Sequence, residues 1–121
     1  MSYNIHITRT AEQDISEADY IEFSLQNPIA ADALLDEIET QINALADFPE
    51  QFELADDPIL NSWGICFTTV KNYLAFYVID DEKQIIHIIR FLYGKRDWVP
   101  ILRGGYSLGG FRKLALKGQY K

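Results

Sequence analysis

Between Thr10 and Leu45 the chain carries two apolar stripes of helical period, separated by a single break at Asn27-Pro28. In the first stripe Ala11, Ile15, Ala18, Ile21 and Leu25 recur at steps of three and four, which places them on one face of a helix running to about Gln26. Thr10 followed by Gln13 has capping-box spacing and predicts the start of that helix. In the second stripe Ala31, Leu34, Ile38, Ile42 and Leu45 mark the buried face. Asn27 is the expected N-cap, and Pro28 takes the first helical position, where its missing N–H leaves no hydrogen bond unmade. A link this short predicts an antiparallel helical hairpin, whose two stripes need an apolar surface to cover.

The strand-like segments supply that surface. "SYNIHIT" alternates Tyr3, Ile5 and Ile7 with Asn4, His6 and Thr8, the pattern of a half-buried strand. "DFPEQFELADDPILNS" has no clear period and reads as a polar, proline-punctuated loop. Three strand-like runs follow, "WGICFTTV", "YLAFYVID" and "QIIHIIRFLYG", with turns at Lys71-Asn72 and over Asp80 to Lys83. The order β-α-α-β-β-β predicts an α+β fold, with the helical hairpin on one face of a largely antiparallel four-stranded sheet. One domain over residues 1–102 is expected. Residues 103–121 hold five of the seven glycines and no acid, and read as a mobile basic tail. Its "GGYSLGG" lacks the strand-loop-helix setting and the Lys-Ser/Thr ending of a phosphate loop.

Charge is divided along the chain. Residues 1–60 carry fourteen acids and one base, Arg9, whereas residues 61–121 carry ten bases and four acids, for a net charge of −7. One surface should therefore repel polyanions and another attract them, or an acidic face should meet a basic partner. No apolar run reaches the roughly 20 residues of a membrane span. The opening residues lack a basic segment followed by an apolar block, so no signal peptide is expected. Cys66 is the only cysteine, which excludes an internal disulfide and fits a reducing cytoplasm.

Few residues are placed for chemistry. His6 and His87 are the only histidines, and neither has a second ligand at metal-binding spacing, so neither a metal nor a cofactor is expected. Cys66 has no paired His or Asp pattern of an activated nucleophile. The acid pairs Asp36-Glu37 and Asp56-Asp57 have nothing near them in sequence to raise a carboxyl pKa. The basic residues stand out. Strict alternation puts Arg90 on the strand face of Ile86, Ile88 and Leu92, where a guanidinium needs a carboxylate, backbone carbonyls or a bound phosphate. Lys95 and Arg96 leave the same strand, Lys71 sits at a hairpin turn, and Tyr73, Tyr77 and Tyr93 interleave rings with these cations. Cations with aromatic faces suit single-stranded RNA.

The segments "AEQDISEADYI", "NPIAADALLDEIETQINALADFP", "VKNYLAFYVID" and "IIRFLYGKRDWVPIL" resemble, in order and spacing, the RelE/ParE superfamily of type II toxin–antitoxin toxins, over about residues 2–102. The resemblance implies a cytoplasmic toxin neutralised by a cognate antitoxin. RelE-like members cut mRNA on the ribosome without a metal, and ParE-like members inhibit DNA gyrase. A ribosome-dependent mRNA endonuclease is the first expectation, with gyrase inhibition or an attenuated, antitoxin-binding toxin as alternatives. On the nuclease reading Arg90 and Arg96 clamp phosphate, and Tyr93, where many relatives carry histidine, is the acid or stacking ring. Lys71, Tyr77 and Lys95 are the expected RNA- or partner-binding residues. The chain departs from the nuclease pattern at Cys66 and Leu74, where arginines are common, and at Leu102, near the position of a catalytic tyrosine.

Overall fold

Thr8 is where strand becomes helix. In a computed structural model describing residues 3–47 and 53–104, strand β1 (Asn4–Ile7) leads directly into helix α1 (Arg9–Leu25). The Thr8 N–H still donates to the Ile88 carbonyl at 3.0 Å, as a strand residue would. Its side-chain oxygen already accepts the Ala11 N–H at 3.2 Å and caps the helix. The helix thus begins ahead of the expected Thr10, which lies inside the first turn. Helix α2 (Pro28–Asp47) starts as its sequence predicts, with Asn27 Oδ1 accepting the Ala30 N–H at 2.8 Å.

All five expected residues of the second stripe, Ala31, Leu34, Ile38, Ile42 and Leu45, are buried. The first stripe divides. Ala11 and Ala18 are buried, but Ile21 and Leu25 are 38% and 79% exposed, because the C-terminal half of α1 overhangs an open cleft beside the sheet.

The sheet has five strands among the described residues, in the order β1-β5-β4-β3-β2. These are β1, β2 (Glu53–Leu54), β3 (Cys66–Val70), β4 (Tyr73–Asp80) and β5 (Ile85–Tyr93). Three neighbouring pairs are antiparallel, and β1 runs parallel to β5. The expected class and largely antiparallel sheet hold; the strand count was one short. The additional strand, β2, is two exposed residues pairing with Phe67 and Cys66, too short to carry a readable period.

The sheet is covered on both faces. The hairpin lies on one, packing Leu34, Ile38 and Ile42 against Val70, Tyr77, Ile86 and Ile88. On the other, helices α3 (Pro58–Ser62) and α4 (Trp98–Gly104) bring Leu60 and Leu102 against Phe76, Val78 and Ile89. Burial of consecutive residues Phe76 and Tyr77 is the mark of a strand with no solvent face. Helix α4 is hidden in sequence because Pro100 reads as a breaker, yet in the first turn of a helix proline removes only an N–H that had no partner. Residue 103, placed by sequence in the tail, lies in α4. Its guanidinium bonds Asp57 at 3.1 and 2.5 Å, while Asp57 also accepts the Leu60 N–H and caps α3. Arg103 holds the Asp57 carboxyl below its ordinary range. The remainder of the expected tail, residues 105–121, lies outside the described residues. No described helix is long and apolar enough to cross a membrane.

Leu102 is fully buried between α4 and the sheet. Leu102→Ala should lower unfolding free energy by about 2–5 kcal/mol through the cavity it leaves, measured by urea denaturation.

Candidate functional site

A slip in strand register builds the site. Strands β4 and β5 pair from Tyr73 opposite Tyr93 to Phe76 opposite Arg90, but Tyr77 lies opposite Ile88, so Ile89 is an extra residue on β5. Side-chain alternation breaks there. Ile86 and Ile88 pack with the helical hairpin, as does Phe91, while Ile89 and Leu92 pack with α3 and α4. Arg90 therefore does not share one face with Ile86, Ile88 and Leu92, as unbroken alternation predicts.

Directly beyond the bulge, Arg90 meets α1. Its Nε donates to Asp14 Oδ2 at 2.6 Å and its Nη2 to Asp14 Oδ1 at 3.0 Å, a two-pronged guanidinium–carboxylate pair. Asp14 Oδ2 also accepts the Phe91 N–H at 3.0 Å. Each side chain of the pair is only 12% exposed. Of the partners open to Arg90 in sequence, the carboxylate is the one it has. Its fork is committed to the protein's interior rather than presented as a phosphate clamp.

A cleft of about 560 Å³ opens beside this pair, between the C-terminal half of α1 and the end of the sheet. Tyr73 and Phe91 form part of its floor, stacked at 5.0 Å with an 11° interplanar angle, and Tyr93 meets Tyr73 edge-on at 5.6 Å. Ala18, Ile21 and Leu25 line the helical wall; Asp14, Glu17 and Glu22 add carboxylates to it. Arg96 lines the same cleft. Burial pushes the Tyr73 hydroxyl pKa up, and Glu22, Tyr93 and Glu17 raise it further, so this is a negatively charged environment. The turn carrying Arg96 is tight: the Gly94 N–H donates to the Asn72 carbonyl at 2.8 Å, and a Cβ on Gly94 would stand 3.2 Å from that oxygen.

The expected site residues fall into separate groups. Tyr93 and Arg96 meet at the cleft, with Lys95 exposed between them in sequence. Lys71 is exposed at the neighbouring hairpin turn, with φ 54°, next to the cleft residue Asn72. Tyr77 is not available to RNA: it is fully buried, burial pushes its pKa up, and no described residue hydrogen-bonds its hydroxyl. Cys66 is buried on the hairpin face, whereas Leu74 and Leu102 pack on the α3–α4 face. Cys66 and Leu102 are thus core residues on opposite sides of the sheet, and Leu74 is half-buried against the α3–α4 core. The helical wall was missed by sequence reasoning, although Asp14, Ala18, Ile21 and Leu25 follow one helical face at steps of three and four.

A family model for the ParE toxin of type II toxin–antitoxin systems (parDE) matches residues 5–98. The chain belongs to the ParE toxin family. Among solved structures, the toxin is similar to a chain of the chromosomal ParDE toxin–antitoxin system of P. aeruginosa, at 19% identity and a TM-score of 0.63, over 76% of this chain and 96% of that one. It is also similar to a chain of the RelBE2 toxin–antitoxin complex of Mycobacterium tuberculosis, at 21% identity and a TM-score of 0.56, over 77% and 92%. Both likenesses are in fold. No curated protein matches the toxin in sequence.

Two outcomes test this geometry. Asp14→Ala strands a mostly buried guanidinium and should cost about 2–4 kcal/mol in chemical denaturation; adding Arg90→Met should recover part of that loss. Burial pushes the Cys66 thiol pKa up to about 12, so at pH 8 it stays protonated. Iodoacetamide should leave Cys66 unmodified in the native toxin and label it promptly in 6 M guanidinium, read by mass spectrometry.

Proposed function

We propose that this ParE-family toxin is held inactive by a cognate antitoxin in the cytoplasm and, when released, arrests growth by binding DNA gyrase rather than by cutting mRNA. The observation that carries this reading is the charge of the cleft. Tyr93 and Arg96, two of the three expected catalytic residues, line the same cleft as Asp14, Glu17 and Glu22, and the third, Arg90, is committed to Asp14. Cleavage by a metal-free ribonuclease needs cations that converge on a phosphate and stabilise its developing negative charge. A wall of carboxylates repels that phosphate. The same wall suits a protein partner: Ile21, Leu25 and Tyr93 are exposed apolar side chains framed by charge, as in the centre and rim of a protein interface.

An antitoxin partner is supported by the two similar structures, both of toxin–antitoxin systems. The gyrase target follows from the ParE relationship together with this surface. Arg96 then serves as an exposed contact to the target or antitoxin, and no residue acts as a general acid.

Expression of the toxin without antitoxin separates the readings. The expected result is arrested growth with relaxed plasmid DNA and unchanged mRNA 5′ ends, and inhibition of supercoiling by purified toxin and gyrase. Arg96→Ala should weaken that inhibition about tenfold, the effect of losing one charge-assisted contact. New 5′ ends within codons that vanish when translation is blocked would overturn the proposal and restore the endonuclease.

A further inference from the structure

The cleft beside α1 carries more negative charge than the described residues balance. Asp14 is neutralised by Arg90, but neither Glu17 nor Glu22 forms an ion pair with a described residue. Arg96 is the one cation among the described residues that line the cleft. Beside these carboxylates, Ile21, Leu25 and Tyr93 are left 38%, 79% and 39% exposed. Such a surface fits a segment that combines bases with large apolar side chains and has no acid. The chain contains one. Residues 1–104 hold eighteen acids and seven bases, whereas residues 105–121 hold no acid and four bases, Arg112, Lys113, Lys117 and Lys121. Phe111, Leu114 and Leu116 alternate with these bases along the segment.

We propose that residues 111–117 of the toxin occupy its own cleft when no partner is bound, with their apolar side chains over Ile21, Leu25 and Tyr93 and their bases towards Glu17 and Glu22. The chain has the reach. Arg96 lines the cleft, and α4 starts two residues later and ends at Gly104. A helix of that length rises about 1.5 Å per residue, so Gly104 lies within about 17 Å of Arg96. Seven steps of extended chain from Gly104 to Phe111 span up to about 23 Å, enough to bring Phe111 back to the cleft. Tethering then does what affinity alone does not. A short linker gives an effective concentration of the order of 1 mM, so contacts that hold a free peptide with a Kd of about 1 mM keep the segment docked about half of the time. A target or antitoxin that enters the cleft has to displace it, and the toxin carries its own competitor. That consequence rests on the reading of the cleft as a partner surface; the docking itself does not.

The test uses the full-length toxin with Gln119→Cys carrying a nitroxide, the native Cys66 being buried away from the label. Amide signals of Ala18, Ile21, Glu22 and Tyr93 should lose about half of their intensity relative to the reduced nitroxide, matching a segment docked about half of the time. The loss should exceed that of α3, which packs with α4 near the point where residue 105 leaves the fold. Glu17→Gln together with Glu22→Gln should reduce the cleft effect severalfold. Nitroxide-bearing toxin mixed with isotope-labelled toxin that lacks the nitroxide should give no such loss, because each tail acts within its own chain. Broadening centred on α3 and α4, as a tethered but undocked tail gives, would overturn the proposal. So would a cleft effect that persists in full without the two carboxylates, or one that passes between chains in the mixed sample and makes a second copy's tail the occupant. Gyrase is absent from the measurement, so failure of the docking and failure of the gyrase reading are told apart.

Discussion

The Asp14 carboxylate joins α1 to β5 through three hydrogen bonds, two from the Arg90 guanidinium and one from the Phe91 N–H. These bonds lie directly beyond the bulge at Ile89. The ion pair is costly to bury, and the price is met by good geometry: a planar fork on a planar carboxylate, with the remaining lone-pair direction filled by the backbone. The pair sets the approach of α1 to the strand end and thereby the shape of the cleft. It also removes the strand's central cation from the list of groups able to meet a ligand.

Coverage of both sheet faces decides the rest of the chemistry. Helices α3 and α4 cover the face that the hairpin leaves, so most of strand β4 is buried and its tyrosine at position 77 becomes a core residue. Cys66 and Leu102 are fixed in cores on opposite sides of the sheet. At the end of the sheet α1 overhangs an open surface that carries Tyr73, Tyr93 and Arg96. That surface is apolar in its middle and carboxylate-rich on its wall. A binding toxin can use it more readily than a nuclease, since RNA must bring phosphates past Glu17 and Glu22.

Charge segregation along the chain takes on a different meaning in the fold. Among the described residues, acids of the N-terminal half meet bases of the C-terminal half. Asp14 pairs with Arg90 and Asp57 with Arg103, and Glu17 and Glu22 line the same cleft as Arg96. Each pairing bridges a helix and a segment far along the chain.

Local pattern alone determined the helical hairpin, down to Asn27 as a cap and all five core positions of α2, because helix period and capping depend on residues a few positions apart. It also determined the full extent of β4 and the family, whose motifs are contiguous. Tertiary structure decided which groups meet. The bulge at Ile89 inverts the faces of β5 beyond it, and only pairing with β4 reveals that inversion. The two-residue strand β2 and the helix α4 are stabilised by what they pack against, not by their own period. The partner of Arg90 lies 76 residues away and the partner of His6 lies 81 away. Sequence spacing is blind at such separations, since the interactions concerned exist only once the sheet has closed.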